Sequence, residues 1–199
     1  MELKRVVVTG IGAVTPVGHS AEETWRNLLA GVSGAAPITH FDASKFKTQF
    51  ACEVKDFNPG DFFDAKAARK MDPYCQFAVA AAVEAMADTG MDMETADTDN
   101  IGVVLGVGIG GMKTFEEEQD GWVKTGESLG PKFGPFFIPK MIADISAGHI
   151  SIMYGLRGPN YITSSACASS GSAIADAFNL IRLGKASAIV TGGAEAAIV

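Results

Sequence analysis

The sequence predicts an α/β fold with a mixed, largely parallel sheet covered by helices on both faces. Three observations lead there. Short apolar runs rich in Val and Ile end in glycine: "KRVVVTGIG" (Lys4 to Gly12), "NIGVVLGVGIGG" (Asn100 to Gly111) and "ASAIVTGG" (Ala186 to Gly193). Longer segments with helical caps lie between them. The two kinds alternate along the chain, which is the pattern of parallel strands joined by helical crossovers.

Each element has a local reason. Lys4 to Gly12 reads as a buried strand. In "SAEETWRNLLAG", Ser20 and Glu23 form a capping box and Gly31 closes the helix. Phe50 to Val54 reads as extended, and "DAKAARK" as a short exposed helix. In "MDPYCQFAVAAAVEAMADTG", Asp72 is the N-cap, Pro73 the first helical residue and Gly90 the stop. Its middle is apolar on most faces, so this helix is buried between layers. "MKTFEEEQDGWVKTG" is helical in part. A single helix is expected from about Pro139 to Tyr154, stopped by Gly155. "GPNYITSSAC" is a strand leading to Cys167, and "SSGSAIADAFNLIRLG" a helix stopped by Gly184.

Composition narrows the class. Of 199 residues, 47% are hydrophobic and 20% charged, the balance of a folded globular chain. No apolar run reaches the ~18 residues of a membrane span, so no membrane partner is expected. The net charge of −7 argues against nucleic-acid binding. Cys52, Cys75 and Cys167 are odd in number and match no zinc or redox spacing, which points to a reducing cytoplasmic compartment. No linker or repeat divides the chain. A last strand with no helix after it leads us to expect the front part of a longer protein.

Cys167 stands out by its neighbours. "TSSACASSGSA" is almost free of large side chains. The cysteine sits where a strand turns into a helix. Free N–H groups and a partial positive charge there favour thiolate and can hold an oxyanion. The small residues leave room for a thioester. The residues alone leave two readings, a nucleophile or one more small core thiol. Cys52 and Cys75 read as core thiols.

"VVVTGIGAVTPVG", "GVGIGG", "GPFFIPKMIADISAGHISIMYGLRGPNYITSSACASS" and "IVTGGAEAAI", in this order along essentially the whole chain, resemble the β-ketoacyl-acyl-carrier-protein synthases. The resemblance implies a thiolase-like fold, of which residues 1–199 would be the N-terminal half. It implies that Cys167 takes an acyl chain from acyl carrier protein as a thioester. Malonyl carrier protein then loses carbon dioxide, and its carbanion attacks that thioester to give a 3-oxoacyl chain. The backbone N–H of Cys167 would form one arm of the oxyanion hole. No organic cofactor and no catalytic metal is implied.

The resemblance also implies that Ile109 lies at the floor of the acyl pocket. It places Phe137 at a pocket residue that reaches across a homodimer interface, and "NYITSSA" near the two-fold axis. Core packing is the plain alternative for Ile109 and Phe137. Lys66, Arg69 and Lys70, spaced i, i+3, i+4, would share a basic helix face for docking acidic acyl carrier protein; a solvated face is the alternative.

One departure is large. The family assists decarboxylation with two histidines and a lysine of its second half. His19, His40 and His149 match none of these motifs, and His149 reads as structural. Ser165 stands where threonine is more usual. Other readings stay open: a polyketide-type ketosynthase, a noncatalytic partner subunit, against which Cys167 speaks, or a half-protein serving dimerisation. A dinucleotide-binding fold is disfavoured because Pro16 and Val17 interrupt the first glycine turn and G-x-G-x-x-G is not matched.

Overall fold

The computed structural model describes residues 3–129 and 133–199. In chain order the elements are α1 (Ala21–Leu29), β1 (Ala36–Pro37), β2 (Phe50–Ala51), α2 (Ala65–Ala68), α3 (Pro73–Asp88), β3 (Ile101–Gly106), α4 (Met112–Leu129), α5 (Phe137–Met141), α6 (Ile145–Tyr154), β4 (Asn160–Thr163), α7 (Ser169–Arg182) and β5 (Ala188–Gly193).

β3 is the centre of a parallel three-stranded sheet with order β4-β3-β5. All six of its residues are buried, as a strand covered on both faces requires. Its alternation divides the layers. Ile101, Val103 and Leu105 pack with Tyr74, Cys75, Val79 and Ala82 of α3 and with Ala147 and Ile150 of α6. On the opposite face, Gly106 lies against the start of α7: a Cβ there would sit 2.2 Å from the Ser169 carbonyl carbon. A small antiparallel pair, β1 with β2, stands apart from this sheet.

Several expected helices form for the expected reasons. Ser20 Oγ accepts from Glu23 N–H at 3.1 Å. The return bond of the box goes one residue further out, from His19 N–H to Glu23 Oε2 at 2.8 Å. Asp72 caps α3 and is completely buried. Its Oδ1 accepts from Tyr74 N–H, and its Oδ2 accepts from both N–H and Oγ1 of Thr114 in α4, at 2.8 and 2.7 Å.

Four expectations are corrected. Lys4 to Gly12 is not a strand, and Val8 is 79% exposed. Its backbone is drawn to α3 instead: Ile11 N–H donates to Asp88 Oδ2 and the nearby Ala13 N–H to Glu84 Oε2. Gly10 and Gly12 permit this approach, since a Cβ would stand 2.2 Å from Ala85 O and 1.9 Å from Ala81 O. The helix expected from Pro139 to Tyr154 is two, α5 and α6. Ile142 is extended between them, with its carbonyl accepting from Tyr74 Oη at 2.6 Å and that of Met141 accepting from Gly111 N–H at 3.0 Å. Tertiary partners thus take up two carbonyls at the break.

The extended Phe50 to Val54 shrinks to the two residues of β2. Cys52 is exposed, not a core thiol. Its neighbour Glu53 is buried instead, because its carboxylate accepts from Thr39 N–H, Thr39 Oγ1 and His40 N–H. Side chains alternate along extended backbone, so burying Glu53 turns Cys52 outward. Cys75 is buried as expected, and burial pushes its thiol pKa up to about 12.

Candidate active site

The three parallel strands end on one side of the molecule, and a cleft of about 760 Å³ opens there. Gly106 closes β3, Gly193 closes β5, and Ser164 follows β4; all three line the cleft together with Ile109, Cys167, Ser169 and Glu195. Ligand crevices of open α/β sheets lie beyond these carboxyl ends because the connections diverge there.

Cys167 is exposed in this cleft. It is the middle residue of a 3-10 turn, Ala166–Ala168, that runs directly into α7. The turn is strained: Ala166 has φ +49°, a left-handed conformation that costs a non-glycine residue about 1 kcal/mol or more. Ser169 holds it. Its hydroxyl donates to Ala166 O at 2.7 Å and accepts from Ser165 N–H at 2.8 Å. Thr163 Oγ1 donates to Ser169 O at 2.8 Å, tying the end of β4 to the first turn of α7. A sharp, braced strand-to-helix turn that exposes a nucleophilic atom is the arrangement of a nucleophile elbow.

Of the other expected site residues, Ile109 shares the cleft with Cys167 and is 58% exposed. Phe137 begins α5, half-buried, with its ring stacked on Phe133 at 4.9 Å; it is not among the residues lining the cleft. Lys66, Arg69 and Lys70 are all exposed, but the helix beneath them is only one turn: Arg69 is the C-cap of α2 and Lys70 lies beyond it. The Lys70 ammonium stands 5.4 Å from the centroid of the Phe136 ring. Ser165, the departure noted above, pairs its hydroxyl with Ser172 at 2.9 Å.

No histidine lines the cleft. His19 packs edge-on against Phe57, His40 Nδ1 lies 2.8 Å from Ile198 O, and His149 is half-buried on α6. Burial, then the Lys70 charge, lowers the His149 pKa. Among the described residues no cluster of His, Cys, Asp or Glu could hold a metal ion.

Glu195 is the cleft residue that reading along the chain passed over. Its Oε2 accepts from Gly108 N–H at 3.0 Å and Ile109 N–H at 2.8 Å, across 86 to 87 residues of sequence. The available signal was an acidic residue placed just after a glycine-ended strand, where parallel strands converge.

The comparisons agree with this geometry. The family model "Beta-ketoacyl synthase, N-terminal domain" matches residues 3–199. The 3-oxoacyl-[acyl-carrier-protein] synthase 2 of Synechocystis sp. is 45% identical over 198 residues, 100% of this chain and 47% of the relative. The synthase of the same name from Staphylococcus aureus is 43% identical over 195 residues, 98% of this chain and 46% of the relative. The chain thus spans about half the length of these curated relatives. Among solved structures, the ishigamide ketosynthase/chain length factor superposes with a TM-score of 0.87 at 28% identity, covering 98% of this chain and 48% of that one. Together with the exposed cysteine at its strand-to-helix turn, these similarities show that the chain belongs to the β-ketoacyl synthase family, whose thiolase-like fold it shares.

Proposed function

We propose that this chain supplies the acyl-accepting half of a 3-oxoacyl-[acyl-carrier-protein] synthase acting in fatty acid elongation. The observation that carries the reading is Cys167, exposed on a braced turn leading into α7 inside a cleft of about 760 Å³. Cys167 Sγ attacks the carbonyl of an acyl-carrier thioester. The Sγ–acyl bond forms, the bond to the carrier sulfur breaks, and the carrier leaves as its thiol. The amides at the start of α7 stabilise the oxyanion of that step. In the second half-reaction malonyl carrier protein loses carbon dioxide, the freed electron pair forms the new C–C bond, and Cys167 is released. The groups that assist decarboxylation lie outside residues 1–199 in this reading, since none of His19, His40 and His149 lines the cleft.

The names of the relatives at 43–45% identity, 3-oxoacyl-[acyl-carrier-protein] synthase 2, support acyl carrier protein as partner and a 3-oxoacyl chain as product. Dimer formation belongs to the same reading. β4 is an edge strand of the sheet, and Ile152, Ile174 and Phe178 are exposed on the adjoining helices α6 and α7. So does a cytoplasmic location. Among the described residues no helix is long and apolar enough to cross a membrane, and the three cysteines are free.

The test is acyl transfer. Incubation of the intact gene product with an acyl-carrier thioester should add one acyl group to Cys167, read by peptide mass mapping. Cys167→Ala should abolish the adduct. Acylation of Cys52 instead, or none at all, overturns the reading.

A further inference from the structure

Glu195 and Ile109 belong to chain segments brought together by the β3–β5 pairing. Ala194 N–H donates to Gly106 O at 3.2 Å, extending that ladder one residue past the strand. The next residue, Glu195, then turns its carboxylate onto the loop that leaves β3. One oxygen, Oε2, holds the two consecutive amides of Gly108 and Ile109. Bonds from N–H to a carboxylate are about twice as strong as neutral ones. Gly108 fits closely: a Cβ there would stand 2.8 Å from Glu195 Oε2.

The rest of the loop is held on either side. Ser164 Oγ donates to Gly108 O at 3.2 Å, and Gly111 N–H donates to Met141 O at 3.0 Å. Ile109 itself reaches the fold through its backbone, for its side chain is largely exposed in the cleft. Its place therefore depends on what its amide binds, and that is Glu195.

We propose that Glu195 is a positioning residue: it latches the Gly108–Ile109 backbone, sets where the Ile109 side chain stands beside Cys167, and so tunes which acyl lengths the cleft accepts. The latch deepens the proposed function and rests on it for its acyl substrate. Glu195 touches neither thiol nor acyl group in this role. It acts through Ile109.

The test uses the intact gene product with Glu195→Ala and Glu195→Gln. Glu195→Ala should speed amide hydrogen exchange at Gly108 and Ile109 by about tenfold or more, as loss of a local restraint does. It should change the ratio of kcat/KM for 14-carbon over 6-carbon acyl-carrier substrates by about fivefold, the scale of a pocket-wall shift. Alkylation of Cys167 by iodoacetamide should stay within about twofold of the parent rate, since the elbow is braced by Ser169 instead. Glu195→Gln keeps an accepting oxygen without the charge and should fall between parent and Ala on both readouts. If Glu195→Ala does not fold, Glu195→Gln decides by the same readouts. Unchanged exchange at the two amides overturns the latch. Faster exchange with an unchanged chain-length ratio overturns its role in selection. Failure of the parent protein to acylate Cys167 overturns the functional reading and the substrate part of this proposal, while the amide exchange still reads the latch.

Discussion

The buried hydroxyl of Ser169 donates to the carbonyl of Ala166 at 2.7 Å, bridging the turn that carries Cys167. The same oxygen accepts from Ser165 N–H, so one side chain holds both ends of a strained backbone. Removing it leaves the Ser165 N–H and the Ala166 carbonyl without the partner that bridges them. Ser169→Ala should cost about 0.5–1.5 kcal/mol of stability in urea denaturation, the net worth of a hydrogen bond whose partners water can reach. It should also slow acylation of Cys167 by about tenfold in single-turnover measurements, because small displacements of a nucleophile are expensive.

Asp72 joins the starts of α3 and α4 from a fully buried position. Asp72→Ala strands three donors and should destabilise by about 3–4 kcal/mol. Thr114→Val removes only the hydroxyl bond and should cost about 1–2 kcal/mol. A double-mutant cycle with urea denaturation should return a coupling above about 1 kcal/mol between the two positions.

Gly106 and Gly171 make a matched pair at opposite ends of the steric scale. A Cβ at Gly106 meets the Ser169–Ser170 backbone at 2.2 to 2.4 Å, whereas one at Gly171 meets nothing within 4 Å. Gly106→Ala should abolish soluble protein or lower stability by more than about 3 kcal/mol. Gly171→Ala, in the first turn of α7, should be neutral or stabilise by up to about 1 kcal/mol. Melting temperatures of the two variants compare them directly.

Burial raises the Cys75 thiol pKa from 9.0 to about 12 and raises that of Tyr74 as well. Between these limits the unfolded chain has lost the Cys75 proton while the folded chain keeps it. Stability from this group is therefore complete below pH 9 and falls as pH climbs towards 12, with a slope of at most about 1.4 kcal/mol per pH unit. Tyr74 steepens the fall at the alkaline end. Denaturation curves from pH 7 to 11 should show this decline, and Cys75→Ala should flatten it. In the native state at pH 8, iodoacetamide should label Cys52 and Cys167 and spare Cys75.

Lys66, Arg69 and Lys70 form an exposed basic cluster on a chain of net charge −7. Reversing all three to Glu should raise KM for carrier-bound substrate about tenfold and leave a small acyl thioester within about twofold. Raising ionic strength should weaken the parent and not the variant. Equal effects on both substrates would remove the cluster as a docking site.

Local chemistry was legible along the chain. Ser20, Asp72 and Pro73 opened helices, and Gly31, Gly90, Gly155 and Gly184 lie at left-handed φ just past helix ends. The strand-to-helix placement of Cys167 followed from small residues between a β-branched run and an amphipathic one. These features depend on neighbours within a few residues, and adjacent sequence carries that information. The resemblance to a known family supplied the roles expected for Ile109, Phe137 and the basic cluster, which no periodicity could have named.

Contacts between distant segments decided the rest. Lys4 to Gly12 has the composition of a strand, yet the carboxylates of Glu84 and Asp88 bind nearby amides of its tail. Tyr74 breaks a predicted helix by binding the carbonyl of Ile142, 68 residues away. Cys52 faces solvent because Glu53 turns the other way, onto three donors of Thr39 and His40. Glu195 enters the cleft because parallel pairing of β3 with β5 sets their ends side by side. A backbone amide or carbonyl takes whichever partner the fold brings within hydrogen-bond distance, and that choice is made across the chain, beyond the reach of any local window.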